Sequence, residues 1–114
     1  MSDELEYKVG SDNIFADLGL PNAEQLLAKT DLAFQISRTI EDRGLTQAQA
    51  AEILGLDQPK VSALVRGKVS GYSIERLTRF LNALGNDVEI VVRPKPRARN
   101  QATLRVVSAR RRSA

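Results

Sequence analysis

The stretch Leu45–Gly67, LTQAQAAEILGLDQPKVSALVRG, decides how the rest of the chain is read. It has the form of two short helices joined by a tight turn. Gln47 opens the first helix, and Ala51, four residues on, is small enough to sit where two helices cross closely. Gly55 follows after four more residues and falls in the turn, where a left-handed backbone suits only glycine. Leu56, Val61 and Leu64 then supply apolar residues at the spacing that packs a second helix back on the first. Two helices crossing at roughly 90–120° can present the second to the major groove of DNA. The stretch therefore predicts a DNA-binding helix-turn-helix.

Composition narrows the setting. The 114 residues suffice for one compact domain rather than two. With no Trp and few aromatics, the core must be built mostly of Leu, Ile, Val and Ala, as in a small helical bundle. Cysteine is absent, which excludes disulfides and thiolate chemistry and suits a reducing cytoplasm. Histidine is absent too, so a zinc site would need an unusual all-carboxylate ligand set, and the commonest general base is missing. The expectation is a protein that is not an enzyme and holds no metal or cofactor. No run approaches the roughly 20 apolar residues of a membrane span, and the acidic start MSDELEYKVG is unlike a secretory signal, so a cytoplasmic location is expected.

The net charge of +3 is unevenly spread. Residues 1–31 carry Asp3, Glu4, Glu6, Asp12, Asp17, Glu24 and Asp31 against Lys8 and Lys29. Residues 93–114 carry Arg93, Lys95, Arg97, Arg99, Arg105, Arg110, Arg111 and Arg112 with no acid. This pattern fits a nucleic-acid contact at the basic end and a basic partner at the acidic end; solvated tails are the plainer reading of both.

Working outward, residues 1–21 read as a partly extended leader with apolar anchors Ile14, Phe15, Leu18 and Leu20. Residues 22–93 form the predicted helix-turn-helix domain, and residues 94–114 a basic, flexible tail. Asn22 is placed as the N-cap of a helix that carries Leu26, Leu27, Leu32, Phe34, Ile36 and Ile40 to a C-cap at Gly44. It is either one helix of about twenty residues or two pieces broken near Thr30–Asp31. Thr46 and Gln49 have the spacing of a capping box for the next helix, which runs to Leu54. Pro59 fits the opening position of the third helix, which ends at Gly67. A fourth begins at Ser70 or Ser73, buries Ile74, Leu77, Phe80, Leu81 and Leu84, and ends at Gly85. Val88–Val92 is β-branched and short, and predicts a strand closed off by Pro94 and Pro96. Its partner would be the leader near Tyr7–Val9, the segment Thr103–Val107, or the same strand of a second subunit.

Candidate DNA contacts follow from the helix-turn-helix. Gln58 begins the recognition helix and offers the planar donor–acceptor pair that matches adenine N6 and N7. Lys60 and Ser62 lie close enough to reach base edges or phosphates. Arg66 at the helix end and Lys68 in the following loop suit phosphates. Gln47, opening the preceding helix, would bring its amide and nearby N–H groups to a phosphate. Arg38, Arg43, Arg76 and Arg79 read as helix-surface charges, some paired with Glu41, Asp42 or Glu75. No nucleophile–base arrangement and no phosphate-binding loop is present.

At Gln47, Ala51, Gly55, Leu56, Val61, Leu64 and Gly67 the chain resembles the Cro/repressor, or Xre-type, helix-turn-helix family over roughly residues 30–85. The resemblance implies a mainly α, lambda-repressor-like DNA-binding domain of four to five helices, here with a short C-terminal β-strand. The segments NIFADLGLPNAEQLLAK, LTQAQAAEILGLDQPKVSALVRGK and LTRFLNALGNDVEIVVRPK together look like antitoxins of the HigA/Xre kind. That likeness implies a homodimer that represses its own operon at an inverted-repeat operator in double-stranded DNA and neutralises a RelE/HigB-like toxin. The arginine-rich tail beyond Lys95 departs from the pattern, and Pro59 and Lys60 make this recognition helix its own. Two other readings stay open: a stand-alone phage-type regulator, and an interaction module that has lost DNA binding.

Overall fold

The computed structural model describes residues 21–109. The leader anchors Ile14, Phe15, Leu18 and Leu20 and the strand partner near Tyr7–Val9 lie outside them. Four helices are described: α1 Pro21–Asp42, α2 Gln47–Leu54, α3 Gln58–Val65 and α4 Ile74–Ala83.

The first helix is a single unbroken element of 22 residues, about 33 Å long at 1.5 Å per residue. It begins at Pro21, so Asn22 lies inside the helix rather than capping it. Proline is suited to that first position because its missing N–H has no intrahelical acceptor there. Thr30 does not break the helix: its hydroxyl donates back to the Leu26 carbonyl at 2.9 Å. Ala28, Leu32, Ala33, Ile36 and Ile40 form the buried face. Leu26, Leu27 and Phe34 point the other way, and Phe34 is 56% exposed with the Arg38 guanidinium 5.6 Å from its ring centre.

Helix α1 packs on α3 and α4, and α2 packs on α3 and α4, around one core. Ile36, Val61, Leu64, Leu77 and Leu84 are its largest fully buried side chains. Leu45, Leu56, Val65, Tyr72 and Ile74 close the edges. Ser73 rather than Ser70 caps α4, accepting the Arg76 N–H at 3.0 Å. Two long-range bonds clamp the ends of α1 and α4 together. Arg43 Nη1 donates to the Leu84 carbonyl at 2.9 Å, and Asn86 Nδ2 donates to Thr39 Oγ1 at 2.8 Å.

The predicted C-terminal strand does not form: among the described residues there is no β-ladder. Val88 is half-buried against the core, but Ile90 and Val92 are 87% and 89% exposed. The physical reason is that β-branched composition favours an extended backbone, whereas a strand exists only when a neighbour accepts its N–H groups. Beyond Pro94 the chain turns at Pro96–Arg99, where the Arg99 N–H donates to the Pro96 carbonyl at 3.2 Å. It then returns to place Val106, half-buried, against the core.

Candidate nucleic-acid interface

Two caps define the interface. At the start of α2, Thr46 Oγ1 accepts the Gln49 N–H at 3.0 Å, and Gln49 Oε1 accepts the Thr46 N–H at 2.8 Å. This is the capping box read from the sequence. Gln47, half-buried, occupies the first helical position, and the N–H groups of Gln47 and Ala48 fall in the first turn, where no intrahelical acceptor exists. At the start of α3, Asp57 Oδ1 accepts the Lys60 N–H at 3.0 Å. Asp57 is thus the N-cap, Gln58 the first helical residue and Pro59 the second, one place further in than its sequence position suggests. Sequence reasoning misses the cap at Asp57, although an acidic residue directly before a helix is the signal that could have found it.

The turn between the helices rests on Gly55, with φ +70° and ψ +30°. In that conformation its N–H and that of Leu56 both donate to the Ala51 carbonyl, closing the end of α2. The left-handed step redirects the chain so that Leu56 tucks against the core and Asp57 can cap α3. Val61 and Leu64, fully buried, fix α3 on its inner side.

The outer side of α3 carries the predicted contacts. Gln58, Pro59 and Lys60 are exposed at the helix start. The Gln58 and Lys60 side chains make no hydrogen bond among the described residues, so both are available to an incoming surface. Ser62 and Arg66 are not independent: Arg66 Nη1 donates to Ser62 Oγ at 2.7 Å along the helix face. The serine hydroxyl therefore already accepts one bond, and its own proton remains to be donated. Lys68 is exposed in the loop after α3, where its backbone N–H donates to the Ala63 carbonyl at 3.1 Å. The structure thus groups Gln58, Lys60 and Ser62 on one short helix with Arg66 at its C-cap, Gln47 heading the helix before it and Lys68 in the loop after it.

The arginines read as surface charges have assorted partners. Arg79 pairs with Glu75 at 2.9 Å, as its spacing implies. Arg76 instead lies over the rings of Tyr72 and Phe80, at 5.5 and 5.4 Å from their centres. Those rings meet edge to face at 5.6 Å, so Arg76 covers an aromatic pair at the edge of the core.

Among the described residues, no helix is long and apolar enough to cross a membrane. None of them forms a cluster of three or more acidic, His or Cys side chains able to hold a metal.

Comparison with known proteins settles the family. The family described as "Helix-turn-helix domain" matches residues 14–93, which include the whole four-helix core. The chain belongs to this helix-turn-helix family. A solved structure described as a candidate XRE family transcriptional regulator superimposes with a TM-score of 0.73 at 50% sequence identity, covering 78% of this chain and 100% of that one. A protein of Mycobacterium tuberculosis named as a candidate antitoxin, HigA2, is 30% identical over 61 residues. That match takes in 54% of this chain and 60% of the relative, so the chain spans less than two thirds of the relative's length. The fold is the lambda-repressor-like, mainly helical one, and the protein is an Xre-type DNA-binding regulator related to HigA antitoxins. Proteins of this family and fold are transcriptional regulators and not enzymes.

Proposed function

We propose that the protein is a transcriptional repressor that binds the operator of its own operon as a homodimer and also serves as the antitoxin of a RelE/HigB-like toxin in the cytoplasm. The observation that carries the DNA half is the exposed start of α3, where the side chains of Gln58 and Lys60 make no hydrogen bond among the described residues. In this reading Gln58 reads an adenine edge, and Lys60 and Ser62 reach a base or phosphate. Arg66, Lys68 and the head of α2 at Gln47 hold the phosphate backbone. Two copies would place their recognition helices in successive major grooves about 34 Å apart on an inverted repeat. The exposed Ile90–Val92 segment supports self-association, since pairing with its own copy would supply the missing hydrogen-bond partner. We assign residues 1–21 as leader, 22–93 as the DNA-binding unit and 94–114 as a basic extension.

The antitoxin half rests on the likeness to HigA2. Its test is co-purification with the tagged product of the adjacent gene, followed by sizing. A stoichiometric complex supports it, and separate elution reduces the protein to a stand-alone regulator. The DNA half is tested by the double substitution Gln58→Ala, Lys60→Ala in a footprinting assay. Removing each base-reading side chain is expected to cost about 1–3 kcal/mol. Both side chains are exposed, so the melting temperature should hold. Wild-type protection by the double variant would remove α3 from the groove.

A further inference from the structure

The second concentration of positive charge lies well away in sequence from the helix-turn-helix, between Val88 and Val106. Both valines are half-buried against the core, so residues 89–105 form a loop tethered at its two ends. The tip is organised. Lys95 Nζ donates to the Arg99 carbonyl at 2.8 Å, and Arg99 Nη1 donates to Thr103 Oγ1 at 2.9 Å, around the Pro96–Arg99 turn. Pro94 and Pro96 remove two N–H donors from the outgoing arm, so it cannot extend a sheet as an ordinary strand.

The loop carries Arg93, Lys95, Arg97, Arg99 and Arg105 against a single acid, Glu89, and all five cations are exposed. No acidic residue occurs in the sequence from residue 90 onward. Arg93, Arg97 and Arg105 take part in none of the loop's own hydrogen bonds. Like charges gathered on a tethered loop repel one another, and an approaching polyanion relieves that repulsion. Four of the five are arginines, whose forked guanidinium suits phosphate oxygens.

We propose that this loop is a second DNA-binding element that grips the phosphate backbone, sequence-independently, while α3 reads the bases. The proposal rests on the reading of the protein as a DNA-binding regulator. An acidic protein surface would be attracted by the same charges. Duplex DNA is favoured because the chain already belongs to a DNA-binding family and because arginine-rich, acid-free segments match a phosphate array.

The test is the triple variant Arg93→Gln, Arg97→Gln, Arg105→Gln in the full chain, which spares the turn bonds and both valine anchors. Its binding is titrated by fluorescence anisotropy against the promoter duplex upstream of its own gene and against a scrambled duplex of equal length, over a series of salt concentrations. Affinity should fall by about tenfold or more on both duplexes, and the log–log salt slope by about 0.9 for each phosphate that is no longer neutralised. The ratio between the two duplexes should stay as in the wild type. Lysine in place of glutamine at the three positions should recover most of the slope, which a purely structural role would not predict. Gln58→Ala should do the converse, lowering the ratio while leaving the slope nearly intact. Wild-type affinity and slope in the triple variant would overturn the loop's role while leaving the α3 reading standing. Failure of the wild type to bind either duplex would overturn both.

Discussion

Replacing Gly55 by alanine isolates the step on which the helix-turn-helix depends. The cost can be worked from two observations. The residue sits at φ +70°, in the left-handed region, and a Cβ built there meets nothing within 4 Å. There is then no clash to add, and the penalty is backbone strain alone, about 1–2 kcal/mol for an ordinary L-residue. Alanine also restricts the unfolded chain, which returns about 0.4–1 kcal/mol. The net loss should be about 1 kcal/mol, or roughly 4–8 °C in melting temperature for a domain of this size. Gly55→Asn should lose less, because asparagine tolerates the left-handed region better. Both are read by thermal denaturation followed by far-ultraviolet circular dichroism. An unchanged or raised melting temperature in Gly55→Ala would mean the turn is not left-handed in solution. A loss above about 3 kcal/mol would exceed what unclashed strain can supply and would refute the open space around the site.

Three further outcomes follow from the packing and the caps. Leu64→Ala empties a fully buried site between α3 and the rest of the core and should cost about 2–5 kcal/mol, measured by urea denaturation. A cost below about 1 kcal/mol would place Leu64 outside the core. Asp57→Ala removes the acceptor of the Lys60 N–H and should cost about 0.5–2 kcal/mol, whereas Asp57→Asn should stay within a few tenths of the wild type, because asparagine caps as well as aspartate. Equal losses in the two would assign the effect to charge rather than to capping. Arg76→Ala should destabilise by about 0.5–1 kcal/mol through loss of its cover over Tyr72 and Phe80, and Arg76→Gln should restore little of it, as judged by melting.

What can be read from the sequence is local. The Thr46–Gln49 box, the glycine turn and the buried residues Val61, Leu64, Leu77 and Leu81 all follow from spacings of three or four residues, and the structure has them there. The Arg79–Glu75 pair and the single bond between Arg66 and Ser62 are also four-residue spacings, but the second is easily overlooked, because both residues equally suit DNA. Non-local partners are illegible. Phe34 and Leu27 are as apolar as Ile36, and only the positions of α3 and α4 decide which of them is covered. Val88–Val92 has strand composition, yet nothing in the described chain lies beside it as a ladder. Val106 lies between Arg105 and a second valine, Val107, with no period to mark it rather than its neighbour as an anchor.

The same distinction separates the residues that hold this small domain in shape from those proposed to meet DNA. The polar groups that the fold requires are supplied by residues at the edges of the two helices: Thr46 and Gln49 for α2, Asp57 for α3, and Gly55 between them. Inward, α3 is held by Val61 and Leu64, which are completely covered. The side chains of Gln58, Lys60 and Lys68 are exposed and hydrogen-bond to nothing among the described residues, so substitutions there should leave the fold standing. A helix of eight residues could not hold itself in isolation, since helices shorter than about 12 residues are marginal in water. Its rigidity is borrowed from the core and its caps. On the proposed reading, specificity is therefore free to vary at the exposed start of α3, provided that Gly55, Asp57, Val61 and Leu64 keep the helix where it is.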